Sequence, residues 1–204
     1  MSIRDFFVRN KQYGNRYQTD VQYGSDAAAI AFEGVMDAQA RFVEEKQLLD
    51  KSDWMLFIEQ FRTHADDHDI GWRGEYFGKM MRGAAMTYQY TKNEALYALL
   101  AEVAEQMLEA QDGEGRFSSY SKEAEFHGWD LWSRKYVLLG FLHFHEICRD
   151  GALRARIERA LQAHLDYIVA EIYDKKVDIA TTTQHWGGAS TLPRSSSPRC
   201  VCII

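Results

Sequence analysis

Apolar residues recur along the chain at the three- and four-residue spacing of amphipathic α-helices. The clearest example is EALYALLAEVAEQMLEAQ at residues 94–111, which is rich in the helix-forming residues Ala, Leu and Glu. No segment of strand length alternates apolar and polar residues. The pattern predicts an all-α protein of about six helices, with Asn93 and Asp150 as N-caps after the short turns. The other helical segments are 25–49, 52–64, 75–91, 134–148 and 152–173.

Part of this pattern is repeated after 57 residues, the separation of Trp72 and Trp129. One further step of the same length reaches Trp186. A fixed period of this size indicates stacked helical hairpins. Each hairpin follows a tryptophan-bearing loop, so we expect these loops to line up along one rim of the stack. The repeat also aligns Gly83 with Gly140, Leu96 with Leu153, Leu100 with Ile157, and Leu108 with Leu165.

Charged residues accompany the tryptophans of this predicted rim. Tryptophan faces stack on the C–H faces of sugar rings, and charged groups bind sugar hydroxyls, so we interpret the set as a saccharide-binding cleft. For any single tryptophan, packing between hairpins is the alternative, because large aromatic side chains are usually mostly buried. The candidate binding residues are Trp72, Arg73, Glu75, Trp129, Asp130, Trp132, Arg134, His185 and Trp186.

The rim also contains the best candidates for catalytic carboxyl groups. Glycoside hydrolysis usually requires two carboxyl groups that flank the scissile bond. Glu75 and Asp130 occupy corresponding segments of the repeat and are the best such pair in the chain. Either carboxylate could instead bind sugar hydroxyls or pair with Arg73 or Arg134.

The bulk composition restricts the classes of partner. The chain has 204 residues, 46% of them hydrophobic, and a net charge of −6. This charge does not favour binding to nucleic acid or to an anionic membrane surface. No apolar run reaches the about 20 residues of a membrane span, and the polar start of the chain lacks a signal-peptide core. We therefore expect a cytoplasmic protein.

A metal site is not expected within the chain. His64 and His68 are four residues apart and could chelate a metal on one helical face, but no third ligand accompanies them, so a solvated helix end is favoured. His143 and His145 are two residues apart on a helix and point to different faces.

The last fifteen residues, 190–204, differ in composition from the rest of the chain. They contain both prolines and two of the three cysteines, Cys200 and Cys202. Val201 stands fourth from the end, where a prenylation box requires cysteine. We therefore divide the chain into a folded domain at 1–189 and a disordered tail at 190–204. The tail is interpreted as an abnormal terminus, and an ordinary flexible Ser/Pro tail is the alternative.

Several motifs occur in an order that is found in one known family. They are GWRGEYFGKMMRGAAMTYQYTKNEALYALLAEVAEQMLEAQ, DGEGRFSSY, RKYVLLGFL and HWGGA. Together they resemble the N-terminal part of glycoside hydrolase family 127, the β-L-arabinofuranosidase-like proteins, over residues 65 to 189. The resemblance implies an (α/α)6 toroid that binds sugar at its centre. Such a toroid has about twelve helices, so residues 1–189 would form about half of it.

The resemblance also implies a mechanism. Members of the family remove terminal β-L-arabinofuranose with retention, using a zinc-bound cysteine nucleophile and a glutamate acid/base. Those residues lie farther along the family's chain than this sequence reaches, and Cys200 and Cys202 are not assigned the role. The resemblance therefore implies no cofactor in this chain and zinc in the full-length fold. Glu75, Lys79 and Arg134–Lys135 replace residues that are often histidine or His-Lys in the family, which indicates a divergent branch.

The leading hypothesis is the N-terminal, sugar-binding half of a hydrolase of this kind, acting on terminal arabinofuranosyl-like sugars of plant-type glycans and incomplete for catalysis. One alternative is a non-catalytic helical-repeat scaffold that binds a protein partner. The other is a different six-hairpin enzyme, such as an unsaturated glucuronyl hydrolase. The expected partner is an oligosaccharide, not nucleic acid or membrane. An open half-toroid leaves hairpin faces uncovered, so a homodimer is a further expectation.

Overall fold

The structure, a computed structural model, describes residues 31–66 and 73–182, and these residues form helices and loops with no strand among them. The prediction of an all-α fold of helical hairpins is confirmed. The helices are α1 (Val35–Val43, continued by the π-helical turn Glu44–Leu48), α2 (Lys51–Thr63), α3 (Arg73–Thr91), α4 (Glu94–Glu109), α5 (Asp130–Ile147), α6 (Gly151–Val169, continued by the π-helical turn Ala170–Asp174) and the single turn α7 (Ile179–Thr182).

The boundaries of four helices reproduce the sequence repeat. Helices α3 and α5 begin 57 residues apart, at 73 and 130, and α4 and α6 begin 57 residues apart, at 94 and 151. The same kind of N-cap precedes both second helices. The Asn93 side chain accepts a hydrogen bond from the Ala95 N–H at 3.0 Å, and Asp150 accepts one from the Ala152 N–H at 2.7 Å. Each cap satisfies an N–H group that has no partner within its own helix.

The apolar faces predicted from the pattern form the core. In α4 the buried residues include Leu96 and Leu100, and in α6 the equivalent Leu153 and Ile157 are also buried. This face recurs every three to four residues, so one side of each second helix is removed from water. One pair of equivalent core residues differs in chemistry, since the residue of α6 that corresponds to the buried Met107 of α4 is the buried His164.

The first helices of the two repeats, α3 and α5, lie in close contact through glycine. A Cβ atom on Gly78 would stand 1.9 Å from the Tyr136 carbonyl oxygen, and one on Gly140 would stand 3.0 Å from the Gly78 Cα. Near the start of α3, a Cβ on Gly74 would lie 2.7 Å from the Ser133 Cβ. Residue numbers rise together along both helices at these contacts, so α3 and α5 run in the same direction with their N-terminal ends side by side.

The amino-terminal part of the described chain differs from the pattern-based expectation. Within the described residues, the helical segment predicted at 25–49 is interrupted at 31–34, where Gly34 has a φ of 66°, and α1 begins at Val35. Residues 25–30 of this prediction lie outside the described residues. No side chain of Val35–Val43 is buried, and Val35, Met36 and Phe42 are exposed, whereas Glu44 and Leu48 of the following π-helical turn are buried. Among residues 31–66 and 73–182, no helix is both long and apolar enough to cross a membrane. The tail at 190–204 lies outside the described residues.

Candidate functional site

The predicted rim residues that the structure describes lie at the start of α3 and α5. Arg73 and Glu75 are in the first turn of α3, and Asp130, Trp132 and Arg134 are in the first two turns of α5, which Trp129 immediately precedes. The parallel packing of these two helices therefore brings both segments to one end of the hairpins. Trp72, His185, Trp186 and His68 lie outside the described residues.

A continuous row of side chains connects the two helices at this end. The Lys79 ammonium pairs with the Glu75 carboxylate and lies 5.1 Å from the centre of the Tyr136 ring. The Tyr136 ring makes an edge-to-face contact with Trp132 at 5.2 Å, and Trp132 makes another with Trp129 at 5.8 Å. Such edge-to-face geometry is favourable between aromatic rings, and it fixes their relative orientation.

Lys135 adds a second cation to this row. Its ammonium lies 3.6 Å from the centre of the Trp132 ring and 4.8 Å from that of Tyr136. Partial burial lowers the pKa of Lys135, and the nearby charge of Lys79 lowers it further, while Glu75 opposes both effects. The six residues Glu75, Lys79, Trp129, Trp132, Lys135 and Tyr136 are called the aromatic–cation surface below.

Polar atoms without partners lie beside this surface. Arg73 Nε, Trp132 Nε1 and Ser133 Oγ are buried and make no hydrogen bond within the described part of the chain. Ser133 lies where α5 meets Gly74 of α3. Buried polar atoms are almost always hydrogen-bonded in proteins, so unsatisfied ones call for an explanation such as an unrecorded water, ion or ligand. All three atoms are closed off from solvent at this helix junction, so they mark unsatisfied polar groups beneath the surface and not an open contact with a ligand.

Asp130 and Arg134, by contrast, are buried beneath the surface with 0% and 1% of their area exposed. Asp130 accepts hydrogen bonds from the Ser118 hydroxyl at 2.6 Å, the Phe126 N–H at 2.9 Å and Arg134 Nε at 3.0 Å. Arg134 also donates to the Glu125 carboxylate. Two residues of the predicted charged rim, Asp130 and Arg134, therefore pair with groups inside the protein. Direct contact between these residues and a sugar stays a prediction.

The charges of this buried group are closely coupled. Burial alone would lower the pKa of Arg134, but the charges of Asp130 and Glu125 outweigh it, so the pKa is raised and the guanidinium stays protonated. The Tyr167 hydroxyl donates to Glu125 at 2.6 Å. Burial, and then this bond to Glu125, raises the pKa of Tyr167, so the phenol stays neutral. Asp130, Arg134, Glu125 and Tyr167 are called the buried ion network below.

The network holds the loop between α4 and α5, which contains DGEGRFSSY at 112–120. Within the loop, the Asp112 carboxylate accepts from the Glu114 N–H at 3.0 Å and from the Arg116 N–H at 2.9 Å, which closes a turn. Gly115 has a φ of 89°, and a Cβ atom there would lie 2.9 Å from the Ala163 Cβ. Only glycine fits both conditions without strain.

Two neighbouring elements also bind this loop. The His64 ring lies 2.9 Å from the Ser118 carbonyl oxygen, and the Asp66 N–H donates to the Ser119 carbonyl at 3.1 Å. From α6, His164 Nδ1 accepts from the Phe117 N–H at 3.0 Å. The loop is thus hydrogen-bonded to α5, α6 and the end of α2, although the loop itself contains no regular secondary structure.

His164 is completely buried and neutral. Because its Nδ1 accepts a hydrogen bond, the ring proton is assigned to Nε2, which is buried and unpartnered among the described residues. Burial, and next the positive charge of Arg134, hold the pKa of His164 well below its usual value of 6.5. A protonated ring here would be a buried cation beside another cation.

The candidate catalytic carboxylates differ in accessibility. Asp130 is enclosed by donors, whereas the Glu75 side chain keeps 12% of its area exposed and faces Lys79. Glu75 is therefore the better placed of the two to meet a ligand.

The sequence hypothesis did not include Lys79 and Tyr136 among the site residues, although Lys79 stands four residues after Glu75, the spacing at which helical side chains meet. It also missed Glu125, for which loop sequence gives no such periodic signal.

The zinc chemistry implied by the resemblance has no matching ligand set in the described part of the chain. Residues 31–66 and 73–182 contain no group of three or more His, Cys, Asp or Glu side chains that could hold a metal ion. Cys148, the cysteine within these ranges, is buried and its thiol lies 3.5 Å from the Asp150 carbonyl oxygen. These residues do not fit a zinc-bound nucleophile, and no catalytic step is assigned to one.

The sequence matches one family over most of its length. The sequence model described as Beta-L-arabinofuranosidase, GH127 catalytic domain matches residues 4–190, a range that includes all the helices and the aromatic–cation surface. No curated protein and no solved structure matches the chain at a significant level. The family match agrees with the motifs found in the sequence and with the helical hairpins. The chain therefore belongs to the GH127 β-L-arabinofuranosidase catalytic-domain family and is a carbohydrate-active protein of the glycoside-hydrolase type.

Proposed function

We propose that this chain forms the sugar-binding part of a GH127 glycoside hydrolase that acts on terminal, arabinofuranosyl-like sugars of plant-type glycans. The observation that carries the proposal is the aromatic–cation surface. It places two indoles, a phenol ring, a carboxylate and two ammonium groups at one end of a parallel helix pair. Sugar-binding sites combine these groups, because sugar rings have apolar C–H faces and polar edges.

Each group has a distinct role in this proposal. Trp129 and Trp132 are half-buried and provide apolar area against the ring of the sugar. The Glu75 carboxylate accepts hydrogen bonds from hydroxyl groups, and Lys79 fixes its position through their ion pair. Nε1 of Trp132 and Nε of Arg73 are unpartnered donors that are closed off from solvent, so a hydrogen bond from either to a sugar oxygen requires movement of the side chains that cover them.

The buried ion network acts indirectly in the proposal. Asp130 and Arg134 lie on the inward side of the same two helical turns that carry Trp132 and Lys135. By bonding the loop at 112–120 to α5, the network fixes the direction of this helix end. A binding site needs such support, because small displacements of its side chains weaken the interactions with the ligand.

The proposal is tested by titrating the full chain with arabinofuranosyl oligosaccharides and following heat release and tryptophan fluorescence. We expect saturable binding that Trp132→Ala weakens about tenfold, the equivalent of about 1.4 kcal/mol for a lost aromatic contact. Phe42→Ala is the matched control, because Phe42 is an exposed aromatic residue on α1. Absence of binding to any saccharide, or equal losses in both variants, would overturn the proposal. Absence of binding would also favour the hypothesis of a protein-binding scaffold.

A further inference from the structure

The aromatic–cation surface has more positive than negative charge, in contrast to the whole chain at −6. Its two ammonium groups, Lys79 and Lys135, lie on the same Tyr136 ring at 5.1 and 4.8 Å from its centre. Its one carboxylate, Glu75, pairs with Lys79. The local balance is therefore two positive charges against one negative charge.

Lys135 is the cation of this surface that has no direct ion pair, because Glu75 pairs with Lys79 and acts on Lys135 only as a nearby charge. Within residues 31–66 and 73–182 its ammonium makes no ion pair or hydrogen bond, and its contacts are the faces of Trp132 and Tyr136. Four other lysines of the described residues have carboxylate partners, as Lys51 has Glu102 at 2.5 Å and Lys175 has Glu171 at 2.5 Å. The three described lysines without an ion pair besides Lys135 are exposed, and they are Lys46, Lys92 and Lys176. Lys135 is also half-buried, and burial of an ammonium group is costly unless an anion accompanies it.

Cation–π contact offsets only part of this cost. Near a protein surface, an ammonium above an aromatic ring gains less than a charge-assisted hydrogen bond contributes. The lowered pKa of Lys135 agrees, because burial acts against its protonated form and the attraction of Glu75 does not outweigh this effect, while the charge of Lys79 adds repulsion. A negatively charged ligand group placed between Lys135 and Lys79 would favour the protonated form of Lys135 and offset the repulsion between the two ammonium groups.

We infer that the saccharide recognised at this surface is acidic, and that a uronate carboxylate binds between Lys135 and Lys79 while its ring contacts Trp132 and Trp129. A carboxylate has a single negative charge, which equals the excess of one positive charge among the six residues of the surface. The inference rests on the proposed function and deepens it by naming the substrate class. A glycan in which a uronic acid residue lies beside the terminal sugar fits this surface.

The test compares digalacturonate with its methyl ester, which has the same rings without the negative charges. We expect the wild-type chain of 204 residues to bind the acid at least about tenfold more tightly than the ester at low salt, since the ester lacks the carboxylate charge that strengthens hydrogen bonds from ammonium groups. This preference should shrink as salt screens the charges. Lys135→Met should remove the preference, and Lys135→Arg should retain most of it.

Arg149→Met is the matched control. The Arg149 guanidinium lies 3.8 Å from the centre of the Tyr97 ring, but it is at the opposite end of α5 and has Glu94 as counter-ion. This variant should keep the wild-type preference for the acid. Circular dichroism of each variant separates a lost contact from a lost fold, and Lys79→Met provides a second variant that should weaken the preference.

The possible outcomes distinguish a failure of the inference from a failure of the proposed function. Equal binding of acid and ester, with arabinofuranosyl oligosaccharides still bound, would overturn the inference and leave the proposed function in place. Binding of no saccharide of either charge would overturn both. Competition by acetate with the affinity of the uronate itself would mean a non-specific anion site, and it would also overturn the inference.

Discussion

Replacement of Asp130 by asparagine separates a structural role of this residue from a direct role in sugar binding. Asp130→Asn keeps the shape of the side chain but removes its charge and turns one acceptor into a donor. That donor would face the Ser118 hydroxyl, the Phe126 N–H or the Arg134 guanidinium, all of which now donate to Asp130. Breaking a buried ion pair by removing one partner costs about 3–5 kcal/mol.

The loss is measured by urea unfolding followed by far-ultraviolet circular dichroism. With a urea dependence of about 2–3 kcal/mol per molar, the expected loss lowers the unfolding midpoint by about 1–2.5 M. Asp37→Asn is a matched control, because Asp37 and Arg41 have the same residue types, the same four-residue spacing and the same Nε–Oδ2 distance of 3.0 Å. The Asp37 side chain is 29% exposed where that of Asp130 is 1% exposed, so its loss should be much smaller.

The comparison has a clear contrary outcome. If Asp130→Asn unfolds at the wild-type urea concentration while saccharide binding disappears, the structural argument is refuted and Asp130 contacts the ligand directly. If both variants lower stability equally, burial does not determine the strength of the Asp130–Arg134 pair.

Two further predictions concern the helix contact and the buried histidine. Gly78→Ala should lower the free energy of unfolding by about 3 kcal/mol because its Cβ would overlap the Tyr136 carbonyl, whereas Gly83→Ala, which has open space, should raise it by about 0.5–1 kcal/mol. Equal urea midpoints for these two variants would contradict the packing. The pKa of His164 is lowered in the folded chain, so the unfolded chain binds a proton at this residue more readily. The contribution of His164 to the free energy of unfolding should therefore be fully present above about pH 6.5 and fall by up to about 1.4 kcal/mol per pH unit as the pH decreases below it. His164→Gln should lack this part of the pH dependence in urea titrations and His127→Gln should retain it; identical pH profiles for His164→Gln and the wild type would contradict the assignment.

The two layers of the candidate site arise from one helical period. In α5, Asp130, Ser133 and Arg134 face inward and are buried, while Trp132 and Lys135 are half-buried toward the aromatic–cation surface. Arg134 and Lys135 are neighbours in sequence, but a step of one residue turns the side chain by about 100°, so one joins the network and the other reaches the surface. Adjacent cations therefore have different electrostatic partners and different expected roles.

Local sequence signals predicted the helices and their order. The apolar spacing gave α2 to α6, the caps Asn93 and Asp150 were identified from residue type, and the 57-residue repeat agrees with the helix starts. These features depend on interactions between residues a few positions apart, which a sequence displays directly. The motif order also identified the family before the helices were described.

The sequence predicted the location of the candidate site better than the role of each residue. It placed Glu75, Trp129 and Trp132 at one end of the hairpins, and the parallel contact of α3 with α5 brings these segments to the same end. The sequence did not show that Asp130 is surrounded by hydrogen-bond donors while part of the Glu75 side chain stays exposed. Burial of a charge depends on partners far away in the chain.

The sequence by itself determined the class of fold, the repeat and the segments that carry the chemistry, because helix periodicity and capping are local properties. The tertiary structure alone decided which charges are internal. The Tyr167–Glu125 bond joins residues 42 positions apart, and the bond between the Phe117 N–H and His164 spans 47. The packing of the helices also decided that Gly140 contacts Gly78, whereas Gly83, the equivalent of Gly140 in the repeat, has open space at its Cβ position. Such pairings follow from how completed helices pack, and close packing between distant segments leaves no periodic trace in the sequence.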